Sequence, residues 1–261
     1  LGAFRFGVAG VALFAIARAR GGALPTAREW LSSAVIGTCM MAVGLGTVSV
    51  ALGAKAVTSG VAALVFGTVP LFTALFERLF GRKLGAREAF GLALGFAGVL
   101  LVATKGTLRA SPAWSLALIG CAASYSLGCA LNVRLPLPKG PIATASQMLV
   151  AGVVLALASL VHGERLPEKI SLESFIALAH LIVSGSMIAY SALLYLLRTE
   201  SPALATSYAF VNPVVALFLG AWLGGETVLP SDGVAVLLVI GAVAFVTSAK
   251  RSSGRVISAR T

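Results

Sequence analysis

The chain has 261 residues, of which 58% are hydrophobic and 11% charged, with a mean hydropathy of +0.98. A soluble domain carries about a quarter charged residues, so this chain cannot cover a water-facing surface and is expected to face lipid. Its net charge of +11 does not point to nucleic acid, because the basic residues fall in short breaks between apolar runs without aromatic interleaving; the positive-inside rule explains such a pattern.

In chain order, apolar runs bounded by charged or turn-rich breaks predict nine spans: 1–17, 31–52, 56–77, 89–104, 113–132, 141–161, 175–197, 203–223 and 233–248. Most approach the ~20 residues that a spanning helix needs. They are too long and too uniformly apolar for the alternating strands of a barrel, so the predicted fold class is all-α integral membrane. The first run starts at residue 1 with no signal-peptide pattern ahead of it. Trp30, Trp114 and Trp222 lie near span ends, where an aromatic belt would place them.

Loop parity sets the orientation. One set of span ends holds fourteen basic residues, among them Arg18, Arg20, Arg78, Arg82, Arg134, Lys139 and Arg198, together with the tail from Lys250 onward. The other set holds five, Lys55, Lys105, Arg109, Arg165 and Lys169. The imbalance predicts a cytoplasmic C-terminus and a residue 1 near the outer face.

The chain carries an internal repeat. A shift of 143 residues aligns Ala62 with Ala205, Pro70 with Pro213, Gly81 with Gly224 and Gly98 with Gly241. A shift of 142 aligns Ala9-Gly10-Val11 with Ala151-Gly152-Val153. The second copy shows five spans and the first shows four, so a first helix is expected ahead of residue 1 and the natural fold is expected to have ten. Copies with an odd number of spans insert in opposite orientations. Inverted repeats are the architecture of many secondary transporters, with a substrate site near mid-membrane.

Several segments carry a family resemblance: Arg5-Phe6 with Ala9-Gly10, Arg18-x-Arg20-Gly21, Ser59-Gly60-Val61-Ala62-Ala63 before Pro70-Leu71-Phe72, Gly91-x-x-x-Gly95-x-x-Gly98-Val99, and Ala203 to Pro213 followed by Gly225-Glu226. In order and spacing they resemble the EamA-type transporters of the drug/metabolite transporter superfamily, over nearly the whole chain. The resemblance implies ten helices in two inverted five-helix units around a central cavity. It divides the chain into a first repeat at 1–110 lacking its first helix, a second at 111–249 and a basic cytoplasmic tail at 250–261. It implies export of amino acids, related metabolites or toxic organic compounds, in a bacterial inner membrane. Two features depart from the family: the first helix with its Trp-Gly signature is absent, and Lys83 replaces the Glu that follows the fourth helix, whereas its repeat partner Glu226 remains.

Polar groups inside spans want a partner or a wet cavity. Arg5 and its repeat partner Gln147 are read as a pair flanking the cavity, or, for Arg5, as an interfacial side chain that snorkels. Ser124 and Tyr125 lie mid-span, as do Ser186 and Tyr190, while Tyr208 and Asn212 are four residues apart. These six are read as pocket walls, with helix-to-helix hydrogen bonding as the alternative. Pro70 and Pro213 interrupt corresponding spans and are hinge candidates. His180 and Glu226 are candidates for proton coupling, with interfacial anchoring as the plainer reading.

Cys39, Cys121 and Cys129 read as small apolar residues, and neither a metal nor a cofactor is predicted. The chain shows no HExxH, GxSxG or P-loop motif and no clustered carboxylates within the spans, so no enzyme is expected. The expected partners are a small-molecule substrate and the bilayer, and the expected mechanism is alternating access. Export of drugs or hydrophobic cations is the alternative; a membrane scaffold or an intramembrane enzyme is the rival from another class.

Overall fold

A computed structural model of the chain describes residues 1–54, 56–57, 62, 65–103, 112–164 and 171–212 and, nearer the C-terminus, 215, 234, 237–238, 240–242 and 245. The structure is helical and the fold is all-α. We number the helices α1 (Gly2–Ala19), α2 (Ala27–Leu52), α3 (Val69–Leu79), α4 (Ala86–Ala103), α5 (Pro112–Asn132), α6 (Pro141–Val161), α7 (Leu172–Thr199) and α8 (Pro202–Thr206). Among the described residues α1, α2, α6 and α7 are long and apolar enough to cross a membrane. Their outer faces carry large exposed side chains such as Val11, Leu31, Leu160 and Phe175, as expected where lipid rather than water is the solvent.

Helix starts follow from local chemistry. Thr26 and Glu29 form a reciprocal capping box at the head of α2, the Thr26 hydroxyl accepting from Glu29 N–H and the Glu29 carboxylate from Thr26 N–H. Ser171 and Ser201 cap α7 and α8. Pro70 stands in the first turn of α3, just after a turn at Gly67 and Thr68. In that position the missing N–H leaves no broken helical bond. Pro213 and Glu226 lie outside the described residues.

The chain forms two compact units. The first comprises Leu1–Val50 with Leu127–Thr199, the second Ala51–Ser126 with Glu200–Thr261. Each unit therefore draws helices from both sequence halves.

In the first unit α1 crosses α6 at glycines. A Cβ on Gly10 would sit 2.8 Å from the backbone nitrogen of Leu149, and one on Gly152 would sit 2.8 Å from that of Gly7. These are the same contact made twice: Gly10 corresponds to Gly152 and Gly7 to Leu149 at one shift of the repeat. Without side chains between them the backbones close to direct contact, the usual way helices associate in lipid.

Two long helices of this unit contain π-helical turns, Thr38–Gly46 in α2 and Leu181–Ile188 in α7. Their first residues are separated by the same 143 positions that align the two halves of the sequence. The repeat is thus visible in the backbone as well as in the residues. π-Helical turns widen a helix locally, turn side chains out of the regular register and are frequent at functional sites.

The second unit packs Phe210 against Gly95 of α4, whose added Cβ would meet the Phe210 ring at 2.7 Å. Ala74, Leu92, Ala203 and Ala242 share that core.

Candidate functional site

In the first unit the polar side chains predicted from sequence meet the π-helical turns. Arg5 on α1 is half-buried, and its Nε donates to Ser186 Oγ at 2.8 Å. Ser186 is buried and belongs to the π turn of α7. Gly185 next to it lets the guanidinium pass, since a Cβ there would lie 3.0 Å from Arg5 Nη2. The Arg5 guanidinium carbon also stands 5.0 Å from the centre of the Phe6 ring, within cation–π range.

Gln147 on α6 is 0% exposed. Its Oε1 accepts from the Tyr190 hydroxyl at 2.8 Å, and that hydroxyl lies 3.3 Å from the sulfur of Met40 in the π turn of α2. The Nε2 of Gln147 is buried without a hydrogen-bond partner among the described residues. Arg5 and Gln147, partners across the repeat, therefore do not pair with each other. Arg5 meets the π turn of the opposite repeat directly, and Gln147 meets it through Tyr190. Met40 carried no sequence signal, being one apolar residue in an apolar run.

Next to these, Ser33 and Ser146 share a hydrogen bond of 2.8 Å. Gly37 lets α2 approach α6, since a Cβ there would clash with the Gln147 carbonyl oxygen. Ser191, next to Tyr190 in sequence, has a buried Oγ without a hydrogen-bond partner among the described residues. His180 is exposed, the last residue of α7 before its π turn, with Nδ1 3.3 Å from Ser184 Oγ.

The second unit holds an aromatic pair. Tyr125 is buried, Tyr208 is 44% exposed, and their hydroxyls are 3.2 Å apart. Phe66 stands edge-on to Tyr125 at 5.7 Å. Ser126 donates to the carbonyl of Val69, tying α5 to the start of α3. Ser124 is half-buried, and Asn212 is exposed one turn past Tyr208.

This unit also contains a buried carboxylate. Glu77 is 1% exposed and accepts from Arg82 and from the backbone N–H of Ala203. Arg82 reaches on to Glu88 at 3.1 Å. The chain turns between α3 and Arg82 through Gly81, whose φ of +89° suits glycine. Among the described residues no group of three His, Cys, Asp or Glu side chains gathers to hold a metal.

Comparison with known proteins identifies the arrangement. The model of the EamA-like transporter family matches twice, at residues 1–104 and 112–248. The chain belongs to that family. It is 44% identical to the uncharacterized inner membrane transporter YedA of Escherichia coli K12 over 94% of this chain and 80% of that protein. It is 29% identical to a WAT1-related chloroplastic protein of Arabidopsis thaliana, over 91% of this chain and 60% of that one. A protein of known crystal structure shares the fold with a TM-score of 0.74, covering 96% of this chain and 88% of its own, at 21% identity. The protein is thus an EamA-type membrane transporter with two copies of the family unit.

Proposed function

We propose that this transporter exports small metabolites, foremost amino acids or related compounds, by alternating access. Carrying the reading is the pair of repeat-related polar residues, Arg5 and Gln147, each joined to a π-helical turn of the opposite repeat. A guanidinium within a spanning helix is costly, and its planar fork suits a carboxylate. The unpartnered Gln147 amide adds a donor, and Tyr190 and Met40 add an adaptable apolar wall. An amino acid offers the matching groups, a carboxylate and a side chain. The buried carboxylate of Glu77, by contrast, is already tied to Arg82, which gives the rival hydrophobic-cation substrate less to bind. Orientation follows the basic-residue count, with the C-terminus in the cytoplasm of a bacterial inner membrane. His180 and Glu226 remain the proposed coupling residues, and Pro70 and Pro213 the proposed hinges.

The test is uptake of labelled neutral and aromatic amino acids into proteoliposomes, with and without a pH gradient. Saturable uptake that is lost in Arg5→Ala and Tyr190→Ala proteins that remain folded supports the reading. Uptake no greater than in empty liposomes, from folded protein, removes the amino-acid assignment and turns the search to organic cations.

A further inference from the structure

A recess of about 280 Å³ opens in the first unit where α5 and α7 end, lined by none of the residues of the polar pairs described above. Asn132, the last residue of α5, lines it together with Leu135, Pro138, Lys139, Leu197 and Arg198. Arg198 donates through Nη2 to the Pro138 carbonyl at 2.9 Å, which fixes its guanidinium beside the recess. Lys139 is exposed. Among the described residues neither cation forms an ion pair with a carboxylate.

The recess holds a second, independent mark of a ligand. Asn132 is 5% exposed, yet among the described residues neither its Oδ1 nor its Nδ2 has a hydrogen-bond partner. A buried amide left unpaired is costly, and such a group in a native structure asks for a partner. A guanidinium held in place, an exposed lysine and an amide donor around one space describe an acceptor-rich anion, with phosphate oxygens the natural fit.

The other half of the lining is apolar, with Leu135 and Leu197, and the neighbouring surface exposes Val133, Tyr195 and Leu196. Free phosphate has no use for leucines, whereas a phospholipid uses both halves, its headgroup on the cations and its acyl chain along the helix face. The recess also lies at the span ends that carry most of the basic residues, where anionic headgroups are met. We propose that it binds the phosphate headgroup of an anionic phospholipid, which bridges the end of α5 to the end of α7.

Native mass spectrometry of the detergent-purified protein, exchanged with equal amounts of dioleoyl phosphatidylglycerol and dioleoyl phosphatidylcholine, tests this. The anionic lipid should be retained about fivefold or more over the zwitterionic one, and Asn132→Leu and Lys139→Glu should each bring the ratio close to one. Lys139 is exposed and outside any helix, so Lys139→Glu decides the matter should Asn132→Leu fail to fold. Equal retention of the two lipids by the unaltered protein, or a preference that survives Lys139→Glu, overturns the site. Displacement of the lipid by an equal concentration of glycerol 3-phosphate overturns the lipid as occupant.

Discussion

Tyr190 donates its hydroxyl to Oε1 of Gln147 at 2.8 Å, and both side chains are buried. The bond satisfies one end of the amide and leaves Nε2 without a hydrogen-bond partner among the described residues. The two residues should therefore respond differently to substitution. Tyr190→Phe orphans the Gln147 carbonyl and should cost about 1 kcal/mol of stability. Gln147→Leu removes an amide that is only half satisfied and should cost less, while reducing uptake at least as much. Thermal unfolding in detergent, set beside uptake in proteoliposomes, separates the two effects; a larger loss of stability in Gln147→Leu would contradict the reading.

The crossing of α1 and α6 makes a paired prediction. Gly10→Ala and Gly152→Ala each drive a methyl group against backbone, and overpacking of this kind typically costs about 1–3 kcal/mol. Because the two contacts correspond across the repeat, the two losses should agree within about 0.5 kcal/mol. Gly7→Ala meets nothing within 4 Å and should be neutral or slightly stabilising, since glycine inside a helix is unfavourable. Unfolding temperatures of the three proteins check all of this together.

Arg5 should matter for transport through geometry as well as charge. Its Nε donates to Ser186, a bond that fixes the plane of a fork whose shape suits a carboxylate. Arg5→Lys keeps the charge but loses the fork, so uptake should fall about tenfold or more. Ser186→Ala keeps the guanidinium and should reduce uptake only a few-fold. Equal uptake by Arg5→Lys and the unaltered protein would leave Arg5 a structural residue.

In the second unit, Arg82 serves two carboxylates of unequal burial pattern, and Glu77 also receives the Ala203 N–H. Removing the cation strands Glu77, and breaking a buried pair from one side typically costs about 3–5 kcal/mol. Arg82→Ala should thus be far more damaging than Glu77→Gln, which keeps hydrogen-bonding capacity and leaves Arg82 with Glu88. Denaturation of the single and double variants measures the difference.

Much of the fold was legible because lipid imposes a plain rule: runs of apolar residues become helices. The predicted starts at 31 and 175 nevertheless came too late, since α2 begins at Ala27 and α7 at Leu172. Reading apolar runs discards the charged first turn, although Thr26 with Glu29 and Ser171 mark both starts in the sequence. Arg5 and Gln147 stood out because charge and amide are rare in such runs. Their true neighbours did not, because a π turn leaves no residue-type signature and Met40 looks like any other apolar residue. Asn132 was hidden for a different reason: it closes a span, where a polar residue is ordinary until its lack of partners is seen.

The interleaving of the chain has a consequence for biogenesis. The first unit needs residues 1–50 and 127–199 together. During synthesis α1 and α2 therefore enter the membrane well before α6 and α7, the helices they contact, have been made. The glycine faces of α1 and the Arg5 side chain must wait through the insertion of residues 51–126. Until then this arginine depends on lipid headgroups, water or the insertion machinery for shelter, so substitutions at Gly152 or Ser186, far downstream, should prolong that wait and register as degradation of the completed chain before it packs.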